Sequence, residues 1–388
     1  MMEFRMKRIS RKFSSVLAVI SIIIISVMIF SYGCVKKEEK EITIGAVLSL
    51  TGKGAKYGEA IRRGIELALE EVNAEPNRIA KIKVVYEDSL SEPQKAVSAF
   101  NKLIEIDKVS VVIGPVLSNE VLACAPIANL KKVVILNTSA GTEDLRKAGD
   151  YVFRNRESAI PQAIKIAELC RTTIGIEKMS IIYSNSPNGK DYQNAFMKRF
   201  EELGGKILQI ENYKDGETDF RTQLLKIKES HPQGVYLAGL VTELAYILKQ
   251  SKELNFKTSF FASAGIEGSK LFEIAGDSAE GVIFGSPAFD PASNEPLIRN
   301  FVMKYRQRYN QDPDFFTANA YDALKLIAIS IDKAGYSSEG VKNTLYSIKD
   351  YPGVGGTTTF DSDGEVIKPI RIKIIKGDQF VSFEKQEK

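Results

Sequence analysis

Short runs of β-branched residues alternate with helical patterns along most of this 388-residue chain. Segments such as "EITIGAVL" (41–48) and "VSVVIGP" (109–115) are rich in Val and Ile throughout, as expected of parallel strands buried on both faces. After the first run, "YGEAIRRGIELALEEVNA" (57–74) repeats apolar residues at helical spacing, with Arg and Glu on the opposite face. The repetition predicts an α/β fold with parallel sheets flanked by helices.

The same alternation starts again after "YVFRNR" (151–156), turns mainly helical from 296 to 347, and returns to strand patterns near the C-terminus. Beyond an apolar leader, roughly 350 residues remain, more than one ordinary core holds, so two lobes are expected. The segment "TTTFDSDGEVIKPIRIKIIK" predicts a hairpin that turns at 362–364. Lobe 1 is therefore expected to comprise 42–155 and 288–352, and lobe 2 to comprise 156–287 and 353–388.

The leader, residues 1–33, has the pattern of a secretory signal peptide. Five basic residues and one acidic residue surround its start, and an apolar run extends from Val16 to Phe30. That run is about 15 residues long, shorter than the roughly 20 that a membrane-spanning helix needs. An uncleaved anchor helix is the alternative interpretation. Both interpretations place the rest of the chain outside the cytoplasm.

Cys34 follows the apolar run directly, after Gly33. This junction resembles a bacterial lipobox, in which the Cys thiol is diacylated and becomes the mature N-terminus, although Ser31 and Tyr32 replace the usual Leu and small residue. The resemblance implies a lipid anchor at Cys34, with the charged residues 34–41 as a solvated tether. Two acyl chains hold a protein at a membrane firmly, whereas one holds it only marginally.

The charge balance and residue counts exclude several classes of function. Without the leader, 48 basic and 48 acidic residues remain of the 53 and 49, so the basic surplus of a nucleic-acid-binding protein is missing. The one histidine, His231, argues against His-based catalysis and multi-His metal sites. No GxGxxG or P-loop motif suggests a nucleotide, so we expect no cofactor and no metal. Cys124 and Cys170 lie in apolar helical patterns and are expected to be free and buried, with a disulfide as the alternative.

Two strand-to-helix junctions have the composition of an anion-binding site. "VVIGPVLSNEV" places Ser118 at a helix start, and "VVILNTSAGTEDL" places Ser139, Ala140, Gly141 and Thr142 after the next strand. In parallel α/β sheets, ligands bind beyond the carboxyl ends of strands, where helix N-termini present free N–H groups. Small residues allow close approach, and hydroxyl groups suit a carboxylate. Ordinary helix N-caps are the alternative explanation.

Six segments occur in a characteristic order: "GAVLSLTGKGAKYGEAIRRGIELALEEVN", "YEDSLSEPQKAV", "VVIGPVLSNEV", "LNTSAGTEDL", "DSAEGV" and "TANAYDAL". Together they resemble the leucine/isoleucine/valine-binding protein family, the type I periplasmic solute receptors of ABC importers. The resemblance runs from Ile42 to Lys376. It implies the type I periplasmic binding protein fold, with two lobes, three interlobe crossovers and a ligand clamped in the cleft between the lobes.

The resemblance also implies roles for residues of lobe 1. Tyr57 matches a tyrosine that packs on the ligand side chain, and Ser118 matches the hydroxyl that holds the ligand carboxylate. Ser139 and Gly141 match backbone and hydroxyl positions that share the carboxylate and ammonium groups. The family usually has Thr where Gly141 stands, so Thr142 is expected to supply that hydroxyl instead.

The remaining matches concern the apolar end of the pocket and lobe 2. Phe316 matches an aromatic position that lines the pocket, with simple core packing as the alternative. Family tyrosines are replaced by Asn188 and Leu240, and the acidic residue that pairs with the ligand ammonium is replaced by Ala264. Glu267 could take over that pairing if the loop runs differently. A buried ammonium without a counter-charge is costly, so an amine-free acid is an alternative ligand.

The leading interpretation is a lipid-anchored extracytoplasmic receptor that closes on a small carboxylate, first of all a hydrophobic or branched-chain amino acid. It would deliver this ligand to an ABC permease and ATPase complex. Closure of this kind needs no catalytic residue, and a nucleophilic Ser118 or Ser139 would need a base that no nearby motif supplies, so we expect no enzyme. A sensor that reports the ligand to a separate signalling partner is the alternative from another class.

Overall fold

The computed structural model of the chain describes residues 40–383. The first sheet and its helices come first along the chain, and strands alternate with helices as predicted. They are β1 (Glu41–Leu48), α1 (Ala55–Ala74), β2 (Lys81–Asp88), α2 (Pro93–Glu105), β3 (Val111–Ile113), α3 (Ser118–Lys131), β4 (Val134–Asn137) and β5 (Val152–Arg154). These five strands pair in parallel in the order β2-β1-β3-β4-β5.

The second sheet starts after the first crossing of the chain. Its elements are α4 (Ala159–Glu168), β6 (Lys178–Ser184), α5 (Pro187–Glu202), β7 (Lys206–Tyr213), α6 (Arg221–Glu229), β8 (Gly234–Ala238), α7 (Val241–Glu253), β9 (Ser259–Ala262), α8 (Lys270–Ala275) and β10 (Ile283–Pro287). Short 3₁₀ turns lie at Glu143–Lys147, Ala264–Ile266 and Gly276–Ala279, and a π-helical turn at Leu169–Ile174 extends α4.

Three long helices then follow, before two last strands: α9 (Pro296–Tyr309), α10 (Phe315–Ala334), α11 (Ser338–Ser347), β11 (Ile370–Lys376) and β12 (Gln379–Ser382). Of these helices, α10 packs against α1 and β3, and α11 packs against α10 and β4, whereas both strands join the second sheet. That sheet has the order β12-β11-β10-β9-β8-β6-β7, parallel from β6 to β10 and antiparallel at β11 and β12.

The chain therefore crosses between the sheets three times: after β5, after β10 and after α11. This confirms the predicted α/β class with two lobes, parallel sheets and flanking helices. We call the unit built on the first sheet the first lobe and the unit built on the second sheet the second lobe. The limits of the lobes at individual residues, given above, stay a prediction.

The helical spacing seen in α1 has its expected physical cause. Ile61, Ile65, Ala68 and Val72 are all buried in the core, while charged residues of the same helix lie outward. The helix approaches α10 so closely that a Cβ on Gly64 would lie 2.3 Å from the carbonyl oxygen of Thr317. Glycine is therefore required at this crossing, and the close approach brings the first turns of α1 and α10 together at the cleft.

The C-terminal hairpin that was predicted to turn at 362–364 does not form a regular ladder. A tight turn does form at 361–364, but only Phe360 and Val366 pair across it. The turn is held instead against the first sheet, where Arg154 N donates to Gly364 O at 2.9 Å. The regular hairpin is the β11–β12 pair, which turns at 377–378. The C-terminal segment pairs with the edge of a strand that is distant in sequence, and this pairing replaces the local ladder that the turn residues suggested.

Both remaining cysteines are free and buried, which confirms the expectation for Cys124 and Cys170. Burial raises the pKa of the Cys124 thiol to about 12, so it stays protonated at neutral pH. Across residues 40–383, no helix combines the length and apolar character needed to cross a membrane. Over the same range, no cluster of three or more His, Cys, Asp or Glu residues could hold a metal ion. Cys34 and the leader lie outside the described residues.

Candidate ligand-binding cleft

A cleft of about 620 Å³ of empty space, part of it open to solvent, lies between the two lobes. It is bounded by the carboxyl ends of strands from both sheets, where ligands of parallel α/β folds bind. Most of the predicted site residues line it: Tyr57, Ser118, Ser139, Ala140, Gly141, Asn188, Leu240 and Phe316. The tertiary structure thus brings these residues to one place, and their contact with a ligand stays a prediction.

The loop after β4 forms one wall of the cleft, and Asn137 shapes it. The Asn137 Oδ1 atom accepts the N–H groups of Ser139 (3.0 Å) and Ala140 (2.7 Å). The Ser139 hydroxyl donates to Val116 O at 2.7 Å. Both donors of Ser139 are therefore engaged within the first lobe, although Ser139, Ala140 and Gly141 all line the cleft.

The first turn of α3 forms the adjoining part of this wall. Ser118 and Asn119 occupy its first two positions, where N–H groups have no partner inside a helix and the helix dipole favours an anion. The Ser118 Oγ atom accepts the N–H of Thr142 at 3.4 Å, which leaves its own proton available to a ligand. Glu120 caps the same turn by accepting the N–H of Leu117 at 2.8 Å. These donors suit a carboxylate.

Aromatic side chains from α1 and α10 form the apolar wall. The rings of Tyr57 and Phe316 pack with their centroids 4.7 Å apart. The Tyr57 hydroxyl donates to Gly265 O at 2.8 Å and accepts the N–H of Val241 at 2.7 Å. Burial raises the pKa of Tyr57 far above its ordinary value, so the hydroxyl stays protonated. Tyr57 therefore joins the first lobe to two loops of the second lobe.

Arg156 lines the cleft from the first crossing between the lobes, and the sequence analysis missed it. Its side chain is buried and fixed by two carbonyl groups: Nε donates to Glu157 O (2.9 Å) and Nη1 donates to Ser139 O (2.8 Å). The remaining nitrogen, Nη2, is buried without a hydrogen-bond partner among residues 40–383. The ring of Phe315 lies 5.7 Å from the guanidinium carbon.

The second lobe contributes a wall with few free charges. Asn188 lies in the first turn of α5, and its Oδ1 atom is buried without a partner in the described part of the chain. Leu240 precedes α7, as the residue before its first turn. Asp215 forms an ion pair with Lys53 of the first lobe, at 2.9 Å. The Asp215 carboxylate is thus already neutralised across the cleft.

Thr142 does not take the role expected of it. Its hydroxyl donates to the Asp191 carboxylate at 2.6 Å, and the same carboxylate accepts the N–H of Glu143 at 2.9 Å. These bonds turn the side chain of Thr142 toward α5 and away from the cleft. Thr142 is therefore not a substitute for the hydroxyl that Gly141 lacks.

Two expectations for the second lobe are also corrected. Ala264 is buried behind the wall, and Gly265 is the residue that lines the cleft there. Glu267 does not fold into the cleft, because its carboxylate accepts the Ser286 hydroxyl (2.6 Å) and pairs with Lys373 (2.8 Å). The Glu267–Lys373 pair is buried, and its partners lie on β10 and β11. Among the cleft-lining residues of this loop, no acidic side chain therefore replaces the one that the family resemblance implies at position 264.

Besides Arg156, Tyr192 and Asp215 line the cleft and were not among the residues predicted from the sequence. Tyr192 lies one turn after Asn188 on α5, and its hydroxyl donates to Gln162 Oε1 at 2.6 Å. Asp215 lies two residues after the end of β7, so its position just beyond a strand was a usable signal in the sequence. The signal for Arg156 in the sequence was weaker, because it consists only of a basic residue in a short segment that joins the two lobes.

Comparison with known proteins agrees with this geometry. The sequence profile of the periplasmic binding protein family matches residues 41–379. The chain belongs to the periplasmic binding protein family. Membership implies an extracytoplasmic location.

Individual relatives are similar over nearly their full length. A leucine-, isoleucine-, valine-, threonine- and alanine-binding protein of Pseudomonas aeruginosa is 28% identical over 84% of this chain and 87% of its own. The crystal structure of a leucine-binding protein from Thermotoga maritima has a TM-score of 0.84 at 26% identity, covering 88% of this chain and 98% of that one. A branched-chain amino acid transporter substrate-binding protein of Streptococcus pneumoniae, solved with isoleucine, has a TM-score of 0.83 at 28% identity, with the same coverage.

Proposed function

We propose that this chain is the extracytoplasmic solute receptor of an ABC importer and encloses a small carboxylate-bearing ligand between its lobes. The observation that carries the proposal is the collection of free donors at one end of the cleft, the Ser118 hydroxyl and the first-turn N–H groups of α3. Donors so placed favour an anion, and they stand opposite an apolar wall. The names of the similar proteins, which are substrate-binding proteins of transporters, support the same function.

A hydrophobic or branched-chain amino acid is the candidate ligand that the names of the similar proteins favour. Its side chain would pack on Tyr57, Leu240 and Phe316, and relatives of comparable length are named for leucine, isoleucine and valine. An amine-free organic acid is the second candidate. The ion pair of Glu267 with Lys373 favours it, because that carboxylate is not available to a ligand ammonium.

Delivery of the ligand would require an ABC permease and its ATPase as partners, and closure of the lobes would supply the signal for docking. Attachment to the membrane through a lipid on Cys34 would keep the receptor close to that permease. The junction of the apolar leader with Gly33-Cys34 supports the anchor. The receptor role requires no chemical step, so we propose no catalytic residue.

A thermal-shift screen tests the ligand class. Hydrophobic amino acids, their 2-oxo acids and aromatic acids are each compared with the corresponding amide, which lacks the carboxylate. We expect at least one acid to stabilise the protein and its amide to have no effect. At 100 times its Kd, a ligand adds about 2.7 kcal/mol to the free energy of unfolding. Equal stabilisation by acid and amide, or by neither, would contradict the proposed carboxylate site.

A further inference from the structure

The Arg156 guanidinium is a fixed and incompletely bonded cation in the wall of the cleft. Only 3% of the surface of Arg156 is exposed to solvent. Nε and Nη1 are bound to the carbonyl oxygens of Glu157 and Ser139, so the side chain cannot swing away without losing both bonds. Carbonyl oxygens carry no formal charge, and the buried Nη2 has no partner within residues 40–383. A buried cationic donor of this kind is costly unless an anion meets it.

Gly141 borders the cleft beside Arg156 Nη2. A Cβ built on Gly141 would lie 2.4 Å from Asn188 Oδ1 and 3.4 Å from Arg156 Nη2. The missing side chain of Gly141 therefore leaves room for Asn188, which reaches across from the second lobe, while Arg156 Nη2 lies at an ordinary contact distance. This space adjoins Ser118 and Ser139, at the end of the cleft where free donors collect. Nη2 thus stands beside the expected carboxylate position rather than at the apolar end.

The carboxylate nearest in sequence, that of Glu157, is buried outside the cleft lining, where it accepts Gln162 Nε2 at 2.7 Å. Of the cleft-lining residues that the structure describes, Asp215 alone carries a carboxylate. Its Oδ2 atom pairs with Lys53 Nζ at 2.9 Å, and its Oδ1 atom accepts the Ser184 hydroxyl. The pair of Asp215 and Lys53 is neutral, so Arg156 leaves the lining with one positive charge in excess. An α-ammonium group held beside the ligand carboxylate would therefore lie near a cation and lack an anion.

We propose that Arg156 binds the ligand carboxylate through Nη2, and that the physiological ligand is an amine-free monocarboxylic acid with an apolar body. The inference rests on the proposed function, because it names the ligand class of the same cleft. Arg156 takes the place of the hydroxyl that Gly141 and Thr142 do not supply. The amide of Asn188, which can present Nδ2 after a half-turn, suits an oxygen on the carbon next to the carboxylate, as in a 2-oxo acid. The apolar walls accept the same side chains in amine-free acids and in amino acids, so the pocket distinguishes the two classes by charge.

Calorimetry with leucine, 4-methyl-2-oxopentanoate and 4-methylpentanoate tests this ligand class, because the three share one branched side chain. We expect the wild-type protein to bind the better of the two amine-free acids at least about 10-fold more tightly than leucine. Arg156→Gln should weaken the binding of that acid by about 10- to 100-fold, as expected for a lost hydrogen bond between charged groups. It should therefore reduce the ratio of the affinity for the acid to the affinity for leucine. Arg156→Lys keeps the charge and should retain the preference with weaker binding.

Arg299→Gln is the matched control, because it removes one exposed arginine of α9 outside the cleft lining and should change neither affinity nor preference. Tighter binding of leucine to the wild type would overturn the inference while leaving the proposed function intact. So would an unchanged preference in Arg156→Gln, since a merely structural role would weaken all three ligands equally. If Arg156→Gln does not fold, the wild-type preference and Arg156→Lys decide. Absence of binding by any small carboxylate would overturn the proposed function itself, and the inference with it.

Discussion

At the scale of single residues, the Ser118 hydroxyl is the donor whose removal is easiest to interpret. It accepts one N–H, from Thr142 at 3.4 Å, and it lines the end of the cleft where donors collect. Ser118→Ala should weaken binding of the tightest carboxylate by about 1.5 to 3 kcal/mol, the usual range for a hydrogen bond to a charged group. The fold should be retained, because no core packing depends on the hydroxyl. Titration calorimetry measures the loss.

Ser98→Ala is the control for that substitution. The Ser98 hydroxyl donates to Gln94 O within α2 and lies on the exposed side of the first lobe, so its loss should leave affinity unchanged. Wild-type affinity in Ser118→Ala would mean that the carboxylate is held by other donors, with Arg156 the first to consider.

At the scale of elements, the first turn of α1 joins the two lobes through Tyr57. Its hydroxyl bonds Gly265 O and Val241 N, which lie after β9 and at the start of α7, so both bonds exist only while the lobes are together. Tyr57→Phe keeps the ring but removes both bonds and leaves the buried Val241 N–H without a partner. We expect ligand affinity to fall by about 1 to 3 kcal/mol because the closed form becomes less populated. Calorimetry and small-angle scattering with saturating ligand would measure the affinity and the degree of closure.

Tyr86→Phe is a matched control for the effect of removing a buried hydroxyl. Tyr86 lies on β2, and its hydroxyl is buried without a hydrogen-bond partner among the described residues. Its removal should leave affinity and closure as in the wild type. An equal loss of affinity in both variants would show that Tyr57 acts through general stability rather than through contacts between the lobes.

At the scale of the whole molecule, the lipid anchor proposed at Cys34 is tested by removing the thiol. Cys34→Ser, in the chain expressed with its own leader, should release the protein from membranes or leave an uncleaved precursor, because acylation needs the thiol. Cys170→Ala, which removes a buried free cysteine, should leave membrane attachment unchanged. Membrane fractionation with mass spectrometry of the N-terminus measures both effects. An unmodified N-terminus at another residue would contradict lipidation at Cys34.

The sequence by itself determined the elements and their class. The run 41–48 becomes β1 with the same limits, and the helix expected at 57–74 is α1, which begins two residues earlier. Both depend on local periodicity, because side chains alternate in a strand and repeat every 3.6 residues in a helix whatever the rest of the chain does. The resemblance carried by the order of the motifs also predicted that Tyr57, Ser118 and Phe316 would line one cleft, and for Ser118 the position after a strand supported it.

Only the tertiary structure decided which polar and charged side chains face that cleft. Glu267 is withdrawn by Lys373, which lies 106 residues further along the chain, and Thr142 is withdrawn by Asp191 on the opposite lobe. Arg156 is held in the wall of the cleft because the carbonyl groups of Ser139 and Glu157 bind two of its nitrogens. The direction of a charged side chain depends on partners that approach from distant segments, and local periodicity contains no information about them.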